Sequence, residues 1–485
     1  MQQLFTLSFK KNISLIEEAT DNIVLQSPLI TLNSPQITLH LKQLSPGLLS
    51  ALKLLGTDGA TEEHLCNLVL QTDGLPGLYK FYDYLQKFIN LGLICHSVLL
   101  EGVTLLTRVP ISPLDRFQLK NAAADKKYIL SRFAYCRKDK DQMVVESPLS
   151  HAQIVLREGQ GAALFHQLFA PQSCQELCAK VLGISPDTAL MIFNLLWSSH
   201  LISELQDNGE IQEDANAALS QWEFHDLLFH SRSRTGRHAN PVGRTYRFLE
   251  KVEPLPAVKP KPATETENIP LYQPDLEKLK AADYPFTLIL EARKSLRHYH
   301  EQPITDKQLG EFLYRCARIR QVMPAGREEI SSRPYVNAGA NYELELYLIV
   351  NSCQNISAGF YYYCPQEHQL CRLSNLNNHV AALLEEARLS NREQCLPQVA
   401  ILISARFQRI TWAYESIAYS GLLKNVGALY QTMYLVATAM DLAPCAIGSG
   451  NSDLFAAATG LDYYAETSVG EFIIGSKPRD EMMVR

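Results

Sequence analysis

Along the first 205 residues the apolar positions fall into one order of elements that is used twice. In the first copy, LQSPLITL and SPQITLHL read as strands, LSPGLLSALKLLG as a helix stopped by Gly56, and TEEHLCNLVL as a helix capped by Thr61. A third helix, LYKFYDYLQKFINLG, ends at Gly92. The second copy begins with the strand VESPLSHAQIVL. It continues with the helices GAALFHQLF, SCQELCAKVLG (opening at Ser173) and PDTALMIFNLLWSSHLI. Strand, three helices and a closing GLI or HLI recur in the same order, which suits a winged helix, a module that binds DNA or a peptide.

The pattern then changes. FHDLLFHSRSRTGRHANPVGRTYRF carries four arginines in the stretch 232–244 among Gly and Ser, and reads as a solvated basic loop or a substrate contact. EPLPAVKPKPATETENIP, rich in Pro, Lys and Glu, reads as an extended linker or wrapping arm, and the domain boundary is placed there. From about residue 280 the periods are those of an α+β domain. Helices are predicted at PFTLILEARKSLRHY from Pro285, TDKQLGEFLYRCARI capped by Thr305, HVAALLEEA and VGALYQTMYLVATAM. Strands are predicted at YELELYLIVN, GFYYYC, QVAILISARF and EFIIGS. The helix at 426–440 is apolar on nearly every face and belongs in the middle of the domain or at an interface. The expected organisation is a first winged-helix-like module at 1–115, a second at 116–223, a connector and Pro-rich linker at 224–279, and a third domain at 280–485.

Composition narrows the function classes. Hydrophobic residues at 46% and charged residues at 20% are ordinary for globular domains. No apolar run is long enough to span a bilayer, and the N-terminus lacks the order of a signal peptide, so a cytoplasmic protein is expected. The net charge of −6 gives no long-range pull toward nucleic acid. Neither third helix carries the Arg, Lys, Asn or Gln cluster of a major-groove reader, which favours peptide docking over DNA; structural packing modules remain the alternative. The eleven cysteines point to reduced thiols. Cys364 and Cys371 flank His368 in CPQEHQLC, but the spacing matches no standard zinc pattern, so no metal is expected.

Three features of the second half carry candidate chemistry. In ARKSLRHYHEQPIT, Arg293 and Arg297 lie four apart and would share a helix face with Ser295 nearby, an arrangement that is repulsive unless an anion such as phosphate sits between them. A solvated helix face is the other reading of that pair. RPYVNAGA and PCAIGSGNSD bring backbone into the open without bulky side chains, as an approach to a flat polar ring or its phosphate tail requires, although such turns are often only turns.

Taken in order, RKSLRHYHEQPIT, RPYVNAGANYELELYLIV, GFYYYCPQEHQL, VGALYQTMYLVATAMDLAPCAIG and VGEFIIGSKP resemble the nitroreductase-like flavoproteins, specifically the azoline dehydrogenases of ribosomal peptide pathways. The resemblance runs over 280–480. Tandem winged-helix modules ahead of such a domain, joined by FHDLLFHSRSRTGR, are similar to the cyanobactin thiazoline oxidases. The resemblance implies a central, mainly antiparallel sheet and FMN bound at a homodimer interface. It implies that Arg293, Ser295 and Arg297 hold the phosphate and ribityl chain, and that Asn337, Ala338 and Gly339 lie against the ring from the partner subunit. Many relatives have Ser at 337. It further implies that Gln431 contacts the flavin, that Ile447 and Gly448 approach its N5 region, and that Lys477 and Arg479 act as C-terminal phosphate ligands. An adjacent Lys-Tyr pair is common near the substrate in this family; here Tyr414 is present and Ala413 stands in the lysine's place, leaving Lys424 as a second candidate for the base. A tyrosine with an unperturbed pKa near 10 is a poor base at neutral pH unless it is assisted.

The expected activity is FMN-dependent oxidation of a thiazoline or an oxazoline in a modified precursor peptide to the azole, with molecular oxygen reoxidising the flavin. An NAD(P)H-dependent nitroreductase or quinone reductase, a redox-sensing DNA-binding regulator and a non-catalytic leader-binding scaffold are the competing expectations.

Overall fold

A computed structural model describes residues 5–27, 37–112, 114–157, 159–238, 240–262, 268–391 and 395–481. The predicted strand LQSPLITL lies largely outside the described residues. The chain divides into two compact units, Met1–Val242 and Gly243–Arg485.

In the first unit the predicted helices of both copies are present, though not one for one. The first helix, Pro46–Gly56, opens with Pro in its first turn, where a missing N–H costs nothing. The second and third predicted helices form one span, Glu62–Asn90, broken at Gly74 (φ 68, ψ −168) just before Pro76. Thr61 caps it by accepting a hydrogen bond from the His64 amide. The second copy supplies Gly159–Gln167, Cys174–Lys180 and Pro186–Ser198. Ser173 and Glu176 close a reciprocal capping box, which satisfies two of the amide donors that a helix start leaves without partners. VESPLSHAQIVL is not one strand: Gln142–Glu146 and Ala152–Leu156 form a hairpin, because Ser147 and Ser150 turn the chain by accepting from the Leu149 and Ala152 amides. The two copies share one seven-stranded sheet, joined where Val103–Pro110 pairs with Ala152–Leu156. Each copy nevertheless keeps its own apolar core.

The second unit is built on another seven-stranded sheet, ordered Asn268–Pro270, Gln369–Ser374, Gly359–Cys364, Leu344–Val350, Val399–Arg406, Glu466–Ser476 and Leu442–Ile447, with every neighbouring pair antiparallel. Leu344–Val350 and Val399–Arg406 are buried at every position, since helices cover both faces of the sheet. The polar half of YELELYLIV therefore faces protein rather than water: Tyr362 donates to Glu345, and Arg333 and Arg406 lie 3.9 and 3.5 Å from its carboxylate.

Several expectations need correction. The two compact units divide at Val242 and Gly243, and within the stretch read as a linker Leu255, Pro256 and Lys259 are bonded to the second unit: Arg409 donates to Leu255 O, Arg406 to Pro256 O, and Lys259 pairs with Glu466. The helix from Pro285 stops at Ala292, with Arg293 already at φ −60, ψ 120. Residues 294–300 run along the sheet instead, Leu296 N donating to Pro444 O and His300 N to Ser476 O. Arg293 and Arg297 thus do not share a helix face. PCAIGSGNSD is half strand, half turn, its first four residues belonging to Leu442–Ile447. The hairpin Gln321–Ala325 and Glu328–Ser332 and the helix Ser452–Thr459 have no counterpart in the sequence reading.

Candidate active site

At one end of the long helix Ala418–Ala439, Tyr434 organises a corner with Ser295 and Arg293. Its hydroxyl shares a 2.7 Å hydrogen bond with Ser295 and accepts from Ala446 N at 2.8 Å. The Arg293 guanidinium lies 5.3 Å from its ring centre. Among the described residues neither Arg293 nor Arg297 has an ion-pair partner, and both are half-buried. Half-buried guanidiniums without a carboxylate fit an oxyanion ligand, which can take bidentate bonds from each. Lys477 sits behind them, its charge already paired with Asp441 at 3.1 Å, while Arg479 is exposed on a terminal turn.

Ile447 and Gly448 end the edge strand beside this corner, next to a groove of 390 Å³ that also takes in Tyr419, Leu423, Gly427, Tyr430 and Glu471. A side chain at Gly427 or Gly448 would meet nothing within 4 Å, so a flat ring has room against the backbone there. These residues fit the phosphate and ring edge of a flavin nucleotide. Gln431, by contrast, is exposed within the chain and needs no internal partner, contrary to the buried amide expected of it.

The loop at 333–343 is held at the other end of the same helix. Asn425 accepts from Ala338 N at 2.9 Å and donates to Glu343 at 2.7 Å. Asn337 donates to the other Glu343 oxygen at 2.9 Å and accepts from Tyr342 N at 3.0 Å. Its side-chain amide is therefore committed inside the loop. Gly339 adopts φ +65, and a Cβ there would stand 2.4 Å from the Tyr414 hydroxyl. Tyr414 is in place because Tyr414–Glu415 pairs with Gly243–Arg244, setting Arg244 opposite it.

Asn425 and Tyr434 are nine residues apart, or about 14 Å along a helix at 1.5 Å per residue. Lys424 is exposed on the helix beside Asn425, with no contact to Tyr414 among the described residues.

Sequence reasoning missed Tyr434, Asn425, Glu343 and Glu471. Glu471 is nearly buried, opposite Ile447 in the sheet, and lines a second cavity of 300 Å³ with Glu386, Ser390, Ser449 and Asn451. Burial pushes its carboxyl up to about 7. The trio in CPQEHQLC forms a hairpin, with His368 bonded through both ring nitrogens to Tyr363 and Tyr272 O. Among the described residues no helix is long and apolar enough to cross a membrane, and no cluster of ligating side chains is placed to hold a metal.

Comparison with known families divides the chain in the same order. Residues 1–119 match the ThcOx helix-turn-helix domain, 128–239 the cyanobactin oxidase ThcOx, and 290–476 the nitroreductase family. A protein described as a nitroreductase from Methanocaldococcus jannaschii is 26% identical over 183 residues, covering 38% of this chain and 85% of its own length. A nitroreductase structure from Ralstonia eutropha is 21% identical with a TM-score of 0.35, covering 47% of this chain and 98% of that one. The E. coli microcin synthetase McbBCD complex with truncated pro-MccB17 bound is 17% identical with a TM-score of 0.33, covering 52% of this chain and 92% of that one.

Proposed function

We propose that this chain, an oxidoreductase in which cyanobactin-oxidase front modules precede a nitroreductase domain, oxidises thiazolines or oxazolines in a precursor peptide to the aromatic azoles, using FMN. The observation that carries the reading is the joining of these front modules to a unit with two half-buried guanidiniums that have no ion-pair partner among the described residues, beside an open glycine edge. A nitroreductase or quinone reductase acting on free small molecules gives the first 242 residues no role.

In this reading Arg293 and Arg297 take the phosphate, Ser295 takes a ribityl or phosphate oxygen, and Gly427 with Gly448 admits the ring edge. Bound FMN supplies the two-electron acceptor, which molecular oxygen then restores. The loop Asn337–Gly339 lies against the ring from a second copy of the chain in this reading. Exposed apolar side chains on adjoining helices, Phe286 (64%), Tyr419 (48%) and Leu423 (39%), suit the surface of such a homodimer. Tyr414 is the proton acceptor of the reading; Lys424 has no geometry that supports that role.

The test is to purify the protein, record its visible spectrum and incubate it with a thiazoline-containing peptide in air. A yellow protein and the loss of two hydrogens per ring by mass spectrometry are expected. Turnover only with NAD(P)H and a nitroaromatic would sink the proposal.

A further inference from the structure

Arg244 stands over Tyr414 with no role assigned to it so far. Its guanidinium carbon lies 5.4 Å from the ring centre of Tyr414 and 5.4 Å from that of Tyr246, so the cation is set against two phenols. Glu328, buried, fixes it from one side at 2.7 Å, and the Tyr246 hydroxyl donates to the same carboxylate oxygen at 3.4 Å. The guanidinium also reaches Gly339 O and Asn341 Oδ1 at 3.5 Å each, the loop that the Tyr414 hydroxyl abuts. Backbone pairing sets the register: Arg244 lies opposite Tyr414, and the Thr245 and Tyr246 amides donate to Ala413 O. The residue preceding Tyr414 is a buried alanine, and the cation set against the Tyr414 ring is that of Arg244.

We propose that Arg244 is a positioning residue for the oxidation: packed on the Tyr414 ring and bonded to Glu328 and the Gly339–Asn341 loop, it fixes the phenol oxygen that takes the substrate proton. The inference rests on the function proposed above. In the step, the C–H bond of the azoline carbon beside the exocyclic carbonyl breaks. Its proton goes to the Tyr414 oxyanion, and the electron pair stays on the substrate, delocalised into that carbonyl. Glu328 holds the guanidinium in place beside the two rings.

Proton removal is separable from oxidation. The holoenzyme is reduced with dithionite under anaerobic conditions, so that no net turnover occurs, and incubated in D2O with a thiazoline-containing peptide; deuterium entering the ring carbon is followed by mass spectrometry. Wild-type protein exchanges, and Tyr414→Phe does not. Arg244→Gln lowers the exchange rate by about tenfold or more while the peptide KM in aerobic turnover stays within about twofold. Arg244→Lys, which keeps the charge and the stem, retains at least about a third of the exchange and guards against a glutamine variant that fails to fold. Unchanged exchange in R244Q, or a fall of R244K to the Y414F level at wild-type Tm, overturns the role of Arg244. Absence of exchange in the wild type overturns the substrate reading and this inference with it.

Discussion

Asn337 illustrates how a residue's surroundings, rather than its type, fix its role. Its oxygen and nitrogen are both taken, by Tyr342 N and by Glu343, so it shapes the loop from within. Beside it, Gly339 is required twice over, once by its φ of +65 and once by the Tyr414 hydroxyl that fills its Cβ position. Gly339→Ala should cost about 1–3 kcal/mol in urea unfolding, and combining it with Tyr414→Phe should recover part of that loss by removing the clashing oxygen. Glu471 gives a prediction in pH. Its folded value near 7 lies above the ordinary 4.5, so the carboxyl binds a proton more tightly in the folded protein. Its contribution is fully present below pH 4.5 and is lost as pH rises through 7. Glu471→Gln should therefore be more stable than wild type at pH 8, by up to about 3 kcal/mol, with the difference shrinking toward pH 5 in denaturation curves taken across that range.

At the scale of elements, the segment Arg293–Arg297 shows what periodicity misses. ARKSLRH is made largely of good helix formers and contains no breaker, so local propensity continues the helix. The fold overrides it because the edge strand Leu442–Ile447 offers Pro444 O to Leu296 N. A non-helical path still puts Ser295 and Arg293 on Tyr434, whereas Lys294 turns away to pair with Glu481. Arg297→Gln should lower flavin retention after gel filtration by about tenfold or more, and Lys294→Gln should leave it unchanged. The long helix Ala418–Ala439 was legible as an element, yet its apolar character does not mean uniform burial: Tyr419, Leu423, Gly427 and Gln431 are exposed four residues apart. Placing a charge there with Leu423→Glu should convert the proposed homodimer to monomer by light scattering and strip it of flavin.

At the scale of the whole molecule, the helices of the front half and four of the seven strands of the antiparallel sheet are readable because strong 3.6 and 2.0 periods and helix caps are local signals. Two things were not local. The front copies fuse through one strand pair into a single sheet, and that pairing joins residues about fifty positions apart. The Pro-rich stretch looked like a linker because it has few large apolar residues, but its backbone oxygens are what Arg406 and Arg409 require. Both guanidiniums are buried, and Arg409 is held below the ordinary arginine range by that burial and by Arg406, so leaving their donors unsatisfied would be costly. The position of a cut in the chain is therefore diagnostic. Residues 243–485 expressed alone should fold with a cooperative thermal transition and retain flavin, since the unit includes its own arm. Residues 280–485 would lack the pairing of Gly243–Arg244 with Tyr414–Glu415, the edge strand Asn268–Pro270 and the acceptors at Leu255 and Pro256. That fragment should be insoluble or melt without cooperativity, and equal Tm values for the two fragments would show that the arm is dispensable.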